Sequence, residues 1–347
     1  YYNIDLIFKV MNLDDKKLLL ACIGGSIVSY NAFRVLQSLY ASTRDEWIPV
    51  GTVKHLWIFP IKSCKRREVF SLHCGALGAS FGELRDREFM VVDGETGKMY
   101  TARAVPKMIL LESDVSEGIF SITTPDGRKA SIALAEVIAK KKVIRATLFD
   151  QLQADGLDCG DEIADFISSY TETPGMRIIY YRPELFNGRP CKTEQDWWNN
   201  PVPKRSDTVM YVDLAPYLIT TEASVKALNE KLETPVTSKN FRANIVVDQC
   251  GPWDEDKWSE IRIGEAHLQC IKPCTRCVLT TVDPDTGVKD PTIQPLKKLR
   301  EFRLAPEGKM RAAHGDSPVF GVNAAIMKAG YIHIGQTVYA KYKPSVY

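Results

Sequence analysis

The order of apolar and polar positions predicts a chain built mainly from short strands. Apolar residues alternate with others over residues 53–59, which is the period of a half-buried strand. Two turns that contain glycine, at 93–97 and 125–128, each separate short apolar runs and predict a hairpin. Helical spacing marks residues 161–169 and 222–232. The whole pattern predicts an antiparallel sheet or small barrel with a few helices, a β-rich α+β fold.

The second half of the chain continues this pattern. Five further strands are predicted there, at residues 241–247, 260–263, 267–270, 278–282 and 336–342. Proline and tryptophan residues interrupt the pattern between 182 and 204, which indicates a boundary. We therefore expect two β-rich domains, at residues 52–180 and 188–345. Strands do not alternate with helices as they do in parallel βαβ units, so the pattern disfavours a Rossmann domain.

The N-terminal segment has a different character. An uncharged apolar run occupies residues 18–33, with lysines before it and an arginine after it. This run is shorter than the roughly 20 residues that usually span a membrane. We predict an anchor helix at residues 18–41 that spans or lies on a membrane, with a tail at 1–17 and a polar linker at 42–51. A secretory signal and an amphipathic soluble helix are the alternatives.

Composition limits the classes of function. The 347 residues carry 45 Lys and Arg against 43 Asp and Glu, and the net charge of +2 argues against a dedicated nucleic-acid binder. A hydrophobic content of 45% with 25% charged residues is typical of a globular protein of one large domain or two domains. The nine cysteines are an odd number in a long chain, which indicates reduced thiols rather than a secreted disulfide framework.

Several common catalytic motifs are missing from the sequence. It contains no G-x-G-x-x-G, no P-loop, no H-E-x-x-H and no G-x-S-x-G. None of the five histidines lies in a triad signature. The strongest chemical signal is instead a group of three cysteines within eight residues, Cys270, Cys274 and Cys277.

These three cysteines fit three kinds of chemistry. A zinc site with His267 lacks the usual second ligand pair, and His267 and Cys270 have opposite parity on a predicted strand. A redox C-x-x-C normally opens a helix, whereas residues 278–282 are predicted as a strand. A single thiolate, Cys277, would bind the metal of a cofactor, since the charge of Arg276 favours the thiolate. A buried structural role is the default for Cys270.

Four segments resemble the motifs of one family. Residues 272–287 (KPCTRCVLTTVDPDTG) closely resemble the signature of MOSC domains, the C-terminal domains of molybdenum-cofactor sulfurases. Residues 238–246 (SKNFRANIV) resemble the N-F-R-x-N-I motif of that family. Residues 59–64 (FPIKSC) and 84–87 (LRDR) resemble motifs of the MOSC N-terminal β-barrel domain. With its apolar N-terminus, the chain from about residue 18 to its end resembles the mitochondrial amidoxime-reducing component family.

The resemblance implies a fold and a set of site residues. The fold is a MOSC N-terminal β-barrel-like domain followed by a MOSC β-barrel domain with a few helices, and the cofactor is molybdenum bound to molybdopterin. The implied catalytic residues are Cys277, which would bind the metal, and Asp213, which matches an acidic position near it, although Val212 and Ala215 differ from the polar residues expected around that position. The implied cofactor-binding residues are Lys62, Ser63, Arg87, Arg242, Asn244, Thr275, Arg276 and Cys277. Arginine and lysine suit a pterin phosphate, and asparagine can both donate to and accept from pterin atoms.

The resemblance also implies a function. The family reduces N-hydroxylated compounds, such as amidoximes and hydroxylamines, with electrons from NADH through cytochrome b5 reductase and cytochrome b5. The lack of a nucleotide fingerprint agrees with an external electron donor. The implied location is the mitochondrial outer membrane, with the catalytic part facing the cytosol. The alternatives are a molybdenum-cofactor carrier or sulfur-transfer module without reductase activity, and a zinc-stabilised scaffold.

Overall fold

The computed structural model describes the chain from residue 46 to residue 343 with four internal gaps. The described ranges are 46–149, 152–184, 189–190, 202–205 and 207–343. The tail predicted at 1–17 and the anchor predicted at 18–41 lie outside the described residues. No helix in the described ranges is long and apolar enough to cross a membrane.

Short strands make up most of the regular structure. Those of the first half are β1 (Ile48–Ile58), β2 (Arg67–Val69), β3 (Ser71–Gly75), β4 (Gly78–Phe81), β5 (Leu84–Arg85), β6 (Phe89–Asp93), β7 (Glu112–Ser116), β8 (Ile119–Thr123), β9 (Lys129–Ala133), β10 (Val143–Ile144), β11 (Thr147–Leu148), β12 (Leu152–Gln153), β13 (Gly156–Asp158) and β14 (Met176–Tyr180). Those of the second half are β15 (Arg189–Pro190), β16 (Thr208–Val209), β17 (Tyr217–Thr221), β18 (Ile245–Asp248), β19 (Trp258–Ile263), β20 (Ala266–Thr275), β21 (Val319–Lys328), β22 (Gly330–His333) and β23 (Thr337–Tyr342).

Helices are few and short. The α-helices of the described residues are α1 (Leu134–Lys140), α2 (Asp161–Thr171), α3 (Glu222–Asn229), α4 (Leu296–Phe302) and α5 (Lys309–His314). The 3-10 helices are η1 (Pro106–Leu110), η2 (Ser238–Phe241), η3 (Asp254–Lys257) and η4 (Val278–Thr281). The predicted β-rich α+β class is therefore confirmed.

Seven strands close into a barrel. Their order around it is β18, β17, β21, β20, β19, β23 and β1, and β1 pairs again with β18. β17 and β18 run parallel, whereas the other neighbouring pairs are antiparallel. Side chains such as Leu56, Ile219, Ile261 and Ala324 are fully buried in one hydrophobic core. The alternation of apolar and polar residues along the strands supplies this core, because successive side chains point to opposite faces.

The first strand comes from the N-terminal half of the sequence, yet it completes the barrel of the C-terminal half. β1 lies between β18 and β23, with Val53 opposite Val247 and Ile48 opposite Ala340. Residues 48–51, which we predicted as the end of a linker at 42–51, are therefore strand. The prediction was wrong there because Ile48 and Pro49 are exposed, so this stretch shows no buried alternation, and pairing with β23 decides its conformation.

The first half of the chain adds smaller sheets around the barrel. Three of them have the orders β10-β13-β14-β6, β7-β8-β9 and β22-β3-β4-β5. The hairpin predicted around residues 125–128 is confirmed by the pairing of β8 with β9. The turn at 93–97 is followed by isolated bridges, Val92 with Met99 and Lys98 with Thr147, rather than by a second strand. Phe89 and Phe120 stack at 4.2 Å and belong to the same hydrophobic core as the barrel interior.

Most of the other predicted elements are confirmed. α2 covers the helix predicted at 161–169, and α3 covers the predicted 222–232 except for its last three residues. Thr221 caps α3, because its side chain accepts a hydrogen bond from the backbone N–H of Ser224 at 3.2 Å. The strands predicted at 260–263, 267–270 and 336–342 lie in β19, β20 and β23.

The strand predicted at 241–247 is wrong over its first residues. η2 ends at Phe241, and Arg242 follows it with a φ of +55°, in the left-handed region. The strand β18 begins only at Ile245. The N-F-R-x-N motif is thus a helical turn and a sharp reversal that leads into a barrel strand.

The strand predicted at 278–282 is wrong, because residues 278–281 form η4 and Val282 forms only an isolated bridge with Lys289. The hydroxyls of Thr280 and Thr281 donate to the carbonyls of Cys277 and Val278 at 2.9 and 2.7 Å. Such local hydrogen bonds compete with a strand ladder, and an apolar run of this length does not distinguish the two by its pattern. Cys277 therefore lies at the start of a helical turn.

Candidate functional site

An open cleft with a cavity volume of about 130 Å³ lies between turns of the N-terminal half and one end of the barrel. All of the site residues predicted from the sequence line it, and these are Lys62, Ser63, Arg87, Asp213, Arg242, Asn244, Thr275, Arg276 and Cys277. Residues separated by more than two hundred positions in the chain thus meet in one place. The structure brings the predicted set together without assigning a role to any member.

Two tight turns of the N-terminal half deliver Lys62, Ser63 and Arg87. The backbone N–H of Lys62 donates to the carbonyl of Phe89 at 2.8 Å, and that of Arg87 donates to the carbonyl of Phe59 at 2.7 Å, so the two turns are tied to each other. Ser63 and Arg87 have φ values of +68° and +51°. Non-glycine residues in the left-handed region are uncommon and are concentrated at functional sites.

Asn244 fixes the barrel side of the cleft. Its side-chain N–H donates to the carbonyl of Trp57 at 3.3 Å, and its Oδ1 accepts from the backbone N–H of Leu218 at 3.2 Å. Asn244 is 1% exposed, so its two hydrogen bonds to β1 and β17 satisfy polar atoms that water does not reach. Its position just before β18 joins three neighbouring barrel strands at the cleft floor.

Two arginines lie against one aromatic ring in this cleft. The guanidinium carbons of Arg87 and Arg242 lie 4.4 and 4.3 Å from the centre of the Phe59 ring. Arg242 donates to the carbonyl of Cys64 at 2.8 Å. Burial, and then the charge of Arg87, lowers the pKa of Arg242 to about 9. The cleft therefore holds positive charge that the chain only partly balances, which favours an anion.

Thr275, Arg276 and Cys277 form the opposite wall, where β20 ends and η4 begins. The backbone N–H of Arg276 donates to Pro318 at 2.7 Å, which closes the turn. Its guanidinium donates to the Cys274 sulfur at 3.0 Å and also to the carbonyl of Phe241. Cys277 is partly exposed within the cleft. The Cys277 thiol thus lies in the same cleft as the basic groups, and its role as a metal ligand stays a prediction.

The structure does not assemble the zinc site that the sequence allowed. His267 hydrogen-bonds to Glu260 at 2.8 Å on the outside of the sheet, whereas Cys270 is buried in the core. Within the described ranges, no group of three or more His, Cys, Asp and Glu side chains could hold a metal ion. The opposite parity of His267 and Cys270 is the physical reason.

Lys62 and Asp213 form an ion pair across the cleft. The Lys62 ammonium donates to the Asp213 carboxylate and to the carbonyl of Tyr211, the latter at 2.8 Å. Withdrawal from bulk water raises the pKa of Asp213, but the charges of Lys62, Arg103 and Arg87 outweigh this and hold its pKa below the ordinary value. The carboxylate is thus ionised near neutral pH, with 63% of its side-chain surface open to the cleft.

Arg103 is a cleft residue that sequence reasoning missed. It lines the cleft, and its buried Nε has no hydrogen-bond partner among the described residues. The buried Nε of Arg276 also has no hydrogen-bond partner among the described residues. An unpaired buried donor is costly, so two of them in a basic cleft fit an anionic group such as a phosphate. The only signal for Arg103 in the sequence is its position shortly after the turn at 93–97, which is too weak to identify it.

Comparison with known proteins agrees with this geometry. Residues 50–174 match the MOSC N-terminal beta barrel domain, and residues 206–339 match the MOSC domain. Mitochondrial amidoxime-reducing component 1 of Mus musculus is 36% identical over 290 residues, which cover 84% of this chain and 82% of the relative. The chain belongs to the amidoxime-reducing component family of MOSC-domain proteins.

Other members of the family show the same extent of similarity. Mitochondrial amidoxime reducing component 2 of Homo sapiens is 35% identical over 84% of this chain and 83% of its own length. Mitochondrial amidoxime-reducing component 1 of Danio rerio is 33% identical over 86% of this chain and 88% of its own length. The similarity therefore covers both domains and the whole cleft between them.

Proposed function

We propose that this protein is a molybdenum-cofactor oxidoreductase that reduces N-hydroxylated compounds, including amidoximes and hydroxylamines. The observation that carries the proposal is the cleft, in which five basic side chains and two partly exposed cysteine thiols, those of Cys274 and Cys277, line one cavity. The names of the relatives, amidoxime-reducing components, support the choice of substrate class.

The cleft residues fit the cofactor by charge and by donor type. Arg103, Arg242 and Arg276 would hold the phosphate of molybdopterin, since guanidinium groups bind phosphate through paired hydrogen bonds. Asn244 would contact pterin heteroatoms. Cys277 would supply the thiolate ligand of the metal. When bound, this group would supply the two-electron chemistry that removes oxygen from nitrogen.

Residues of the chain would bind and orient the substrate. Conversion of N–OH to N–H consumes two electrons and two protons and releases water. The open carboxylate of Asp213 would accept a hydrogen bond from the substrate N–H and so orient the N–OH group toward Cys277. The ammonium of Lys62 holds that carboxylate in place and keeps it ionised. Both side chains are thus positioning groups for the substrate in our proposal.

We propose NADH, cytochrome b5 reductase and cytochrome b5 as the electron supply. We further propose a mitochondrial location, because the relatives are named mitochondrial. Residues 18–41 would anchor the protein at the outer membrane with its cleft toward the cytosol. Anchoring would raise the effective concentration of the protein near a membrane-bound donor.

The decisive experiment compares Cys277→Ala with Cys274→Ala. We expect Cys277→Ala to lower benzamidoxime reduction more than about 100-fold, since even groups behind a metal ligand contribute ~10–100-fold. Cys274→Ala, in the same cleft, should retain most activity because we assign it no metal bond. Molybdenum content, pterin fluorescence and the metal's EPR signal are measured on the same samples. Near-normal turnover by Cys277→Ala with molybdenum bound would overturn the assignment.

The same assay separates a reductase from a cofactor carrier. A reductase turns over benzamidoxime with NADH and the reconstituted cytochrome chain, and also with a chemical reductant. A wild-type protein that carries full molybdenum and pterin but reduces no N-hydroxylated compound with either donor would contradict the proposed function and favour the carrier.

A further inference from the structure

Phe149 is an exposed aromatic residue beside Lys62 and Arg103, two of the cations that line the cleft. It directly follows β11, and its neighbour Leu148 is fully buried, so the backbone is anchored up to this position. Thr147 adds to the anchoring, because its backbone N–H donates to Gly97 at 3.0 Å. Phe149 itself is 39% exposed. A single exposed phenylalanine is common on a protein surface, so its position relative to the cleft decides what it can do.

The backbone of Phe149 is in an unfavourable conformation. Its φ of +52° lies in the left-handed region, which bulky residues rarely adopt. Ser63, Arg87 and Arg242, which all line the cleft, share this property. Unfavourable backbone conformations persist where the surroundings impose them, and they cluster at binding sites.

The ring of Phe149 lies beside two cleft cations. The centre of the ring is 5.8 Å from the Lys62 ammonium and 5.5 Å from the guanidinium carbon of Arg103. Lys62 also holds Asp213, which is the carboxylate that opens into the cleft. The aromatic ring, the carboxylate and the two cations therefore form one group at the cleft edge.

The ring is not part of the structural core. Phe149 belongs to none of the hydrophobic clusters of the described residues, whereas Leu148 does. Removal of the ring therefore opens no cavity in these clusters, and its recorded contacts among the described residues are with the cations of Lys62 and Arg103. A surface ring that the core does not require is available for a ligand.

We propose that Phe149 is the platform on which planar, conjugated N-hydroxylated substrates stack, with their N–H groups directed at Asp213. The proposal rests on the proposed function and adds to it a specificity-determining residue and a substrate class. A flat aromatic amidoxime or an N-hydroxylated base offers a π-face to the ring, and a small aliphatic amidoxime does not. The enzyme should therefore prefer aromatic substrates because of Phe149.

The test compares Phe149→Ala, Phe149→Tyr and wild type on benzamidoxime and acetamidoxime. We expect Phe149→Ala to raise KM for benzamidoxime by about 5- to 20-fold, which is the size of one lost stacking contact, and to raise KM for acetamidoxime by less than about twofold. Phe149→Tyr keeps the ring and should stay within about twofold of wild type on both. The kcat values should change little, because the ring does not touch the reacting atoms.

Phe302→Ala is a matched control. Phe302 is also 39% exposed and also lies beside a lysine, with its ring centre 5.4 Å from the Lys231 ammonium, but Lys231 does not line the cleft, whereas the cations beside Phe149 do. Its removal should leave the ratio of the two KM values unchanged. An equal change of that ratio in Phe302→Ala and Phe149→Ala would overturn the proposal.

Two further measurements distinguish substrate stacking from support of the cofactor by the ring. Calorimetric titration of the holoenzyme with benzamidoxime, without electron donor, should show a weaker affinity in Phe149→Ala and no change in Phe302→Ala. Molybdenum and pterin content should equal wild type, and a loss of cofactor in Phe149→Ala would show that the ring supports the cations instead. If wild type reduced neither substrate, the proposed function would be wrong, and the titration would decide the role of Phe149 by itself.

Discussion

Two buried arginines in this protein have almost the same surroundings except for their charge partners. Arg242 in the cleft and Arg303 after α4 are 8% and 7% exposed. Each lies against an aromatic ring, Arg242 at 4.3 Å from Phe59 and Arg303 at 4.4 Å from Trp253. Arg303 forms a 2.6 Å ion pair with Asp256, whereas the strongest neighbouring charge on Arg242 is another arginine.

This difference distinguishes a structural charge from a binding charge. The Arg303–Asp256 pair is balanced within the chain, so it needs nothing from outside. Five basic side chains line the cleft with one carboxylate, and a second carboxylate, Asp86, lies beneath Arg87, which leaves an excess of three positive charges. An excess of buried charge is unfavourable until a ligand of opposite charge binds. The cleft is thus arranged for an anion.

The largest effect should follow the removal of the structural charge. Arg303→Ala leaves Asp256 buried and unpaired, which typically costs about 3–5 kcal/mol of unfolding free energy. Urea denaturation followed by circular dichroism measures this loss. Cofactor content per folded molecule should stay at the wild-type level. A loss below about 1 kcal/mol, or a loss of cofactor without a loss of stability, would contradict the distinction between the two arginines.

The next effect should follow the removal of the binding charge. Arg242→Gln should lower molybdenum and pterin content about tenfold, an effect of ~1.4 kcal/mol, because a buried charge that faces the cofactor phosphate is lost. The thermal stability of the cofactor-free fraction should not fall, since an unbalanced charge leaves the interior. Arg242→Lys keeps the charge but loses the paired donors of the guanidinium, so its molybdenum and pterin content should lie between those of wild type and Arg242→Gln. If Arg242→Gln kept the cofactor content of wild type, Arg242 would not be a binding charge, and the distinction from Arg303 would be contradicted.

The smallest effect concerns an acid beside the structural pair. Glu255 is fully buried and accepts hydrogen bonds from Ser224 and Thr221 at 2.8 and 3.0 Å. Burial, and then the charge of Asp256, raises the pKa of Glu255 above its ordinary value. Between the ordinary pKa of a glutamate and the raised pKa of Glu255, the folded protein keeps a proton on Glu255 that the unfolded chain has lost. Stability should therefore fall as pH rises through this range and then stay level.

Glu255→Gln tests this pH dependence, because the amide keeps the shape without the charge. Melting temperatures of the variant and of wild type should be similar at pH 5, and the variant should be more stable at pH 8 by up to about 1 kcal/mol. Glu230→Gln, an exposed change in the turn after α3, is the control and should alter neither value. A variant that is less stable than wild type at pH 8 would mean that the carboxylate charge is balanced in the fold.

Much of the cleft could be predicted because its residues lie in short motifs. Lys62 and Ser63, Arg242 and Asn244, and Arg276 with its neighbours occur in local patterns whose chemistry can be interpreted without a structure. Phe149 and Arg103 are single residues outside any motif, and their importance comes from the side chains that they meet. No local sequence pattern predicts these side-chain contacts, because they join segments that are distant in the chain.

The sequence by itself determined the β-rich class, both predicted helices, the hairpin of β8 and β9, and, through motifs that resemble those of a family, nine of the residues that line the cleft. These features follow from periodicity, turn residues and motifs, all of which act over a few positions. Only the tertiary structure decided that β1 closes the barrel of the other half, and that residues 278–282 turn after Cys277 instead of extending. Exposed strand ends and short apolar runs are locally ambiguous, so pairing and hydrogen bonding with the rest of the chain determine their conformation.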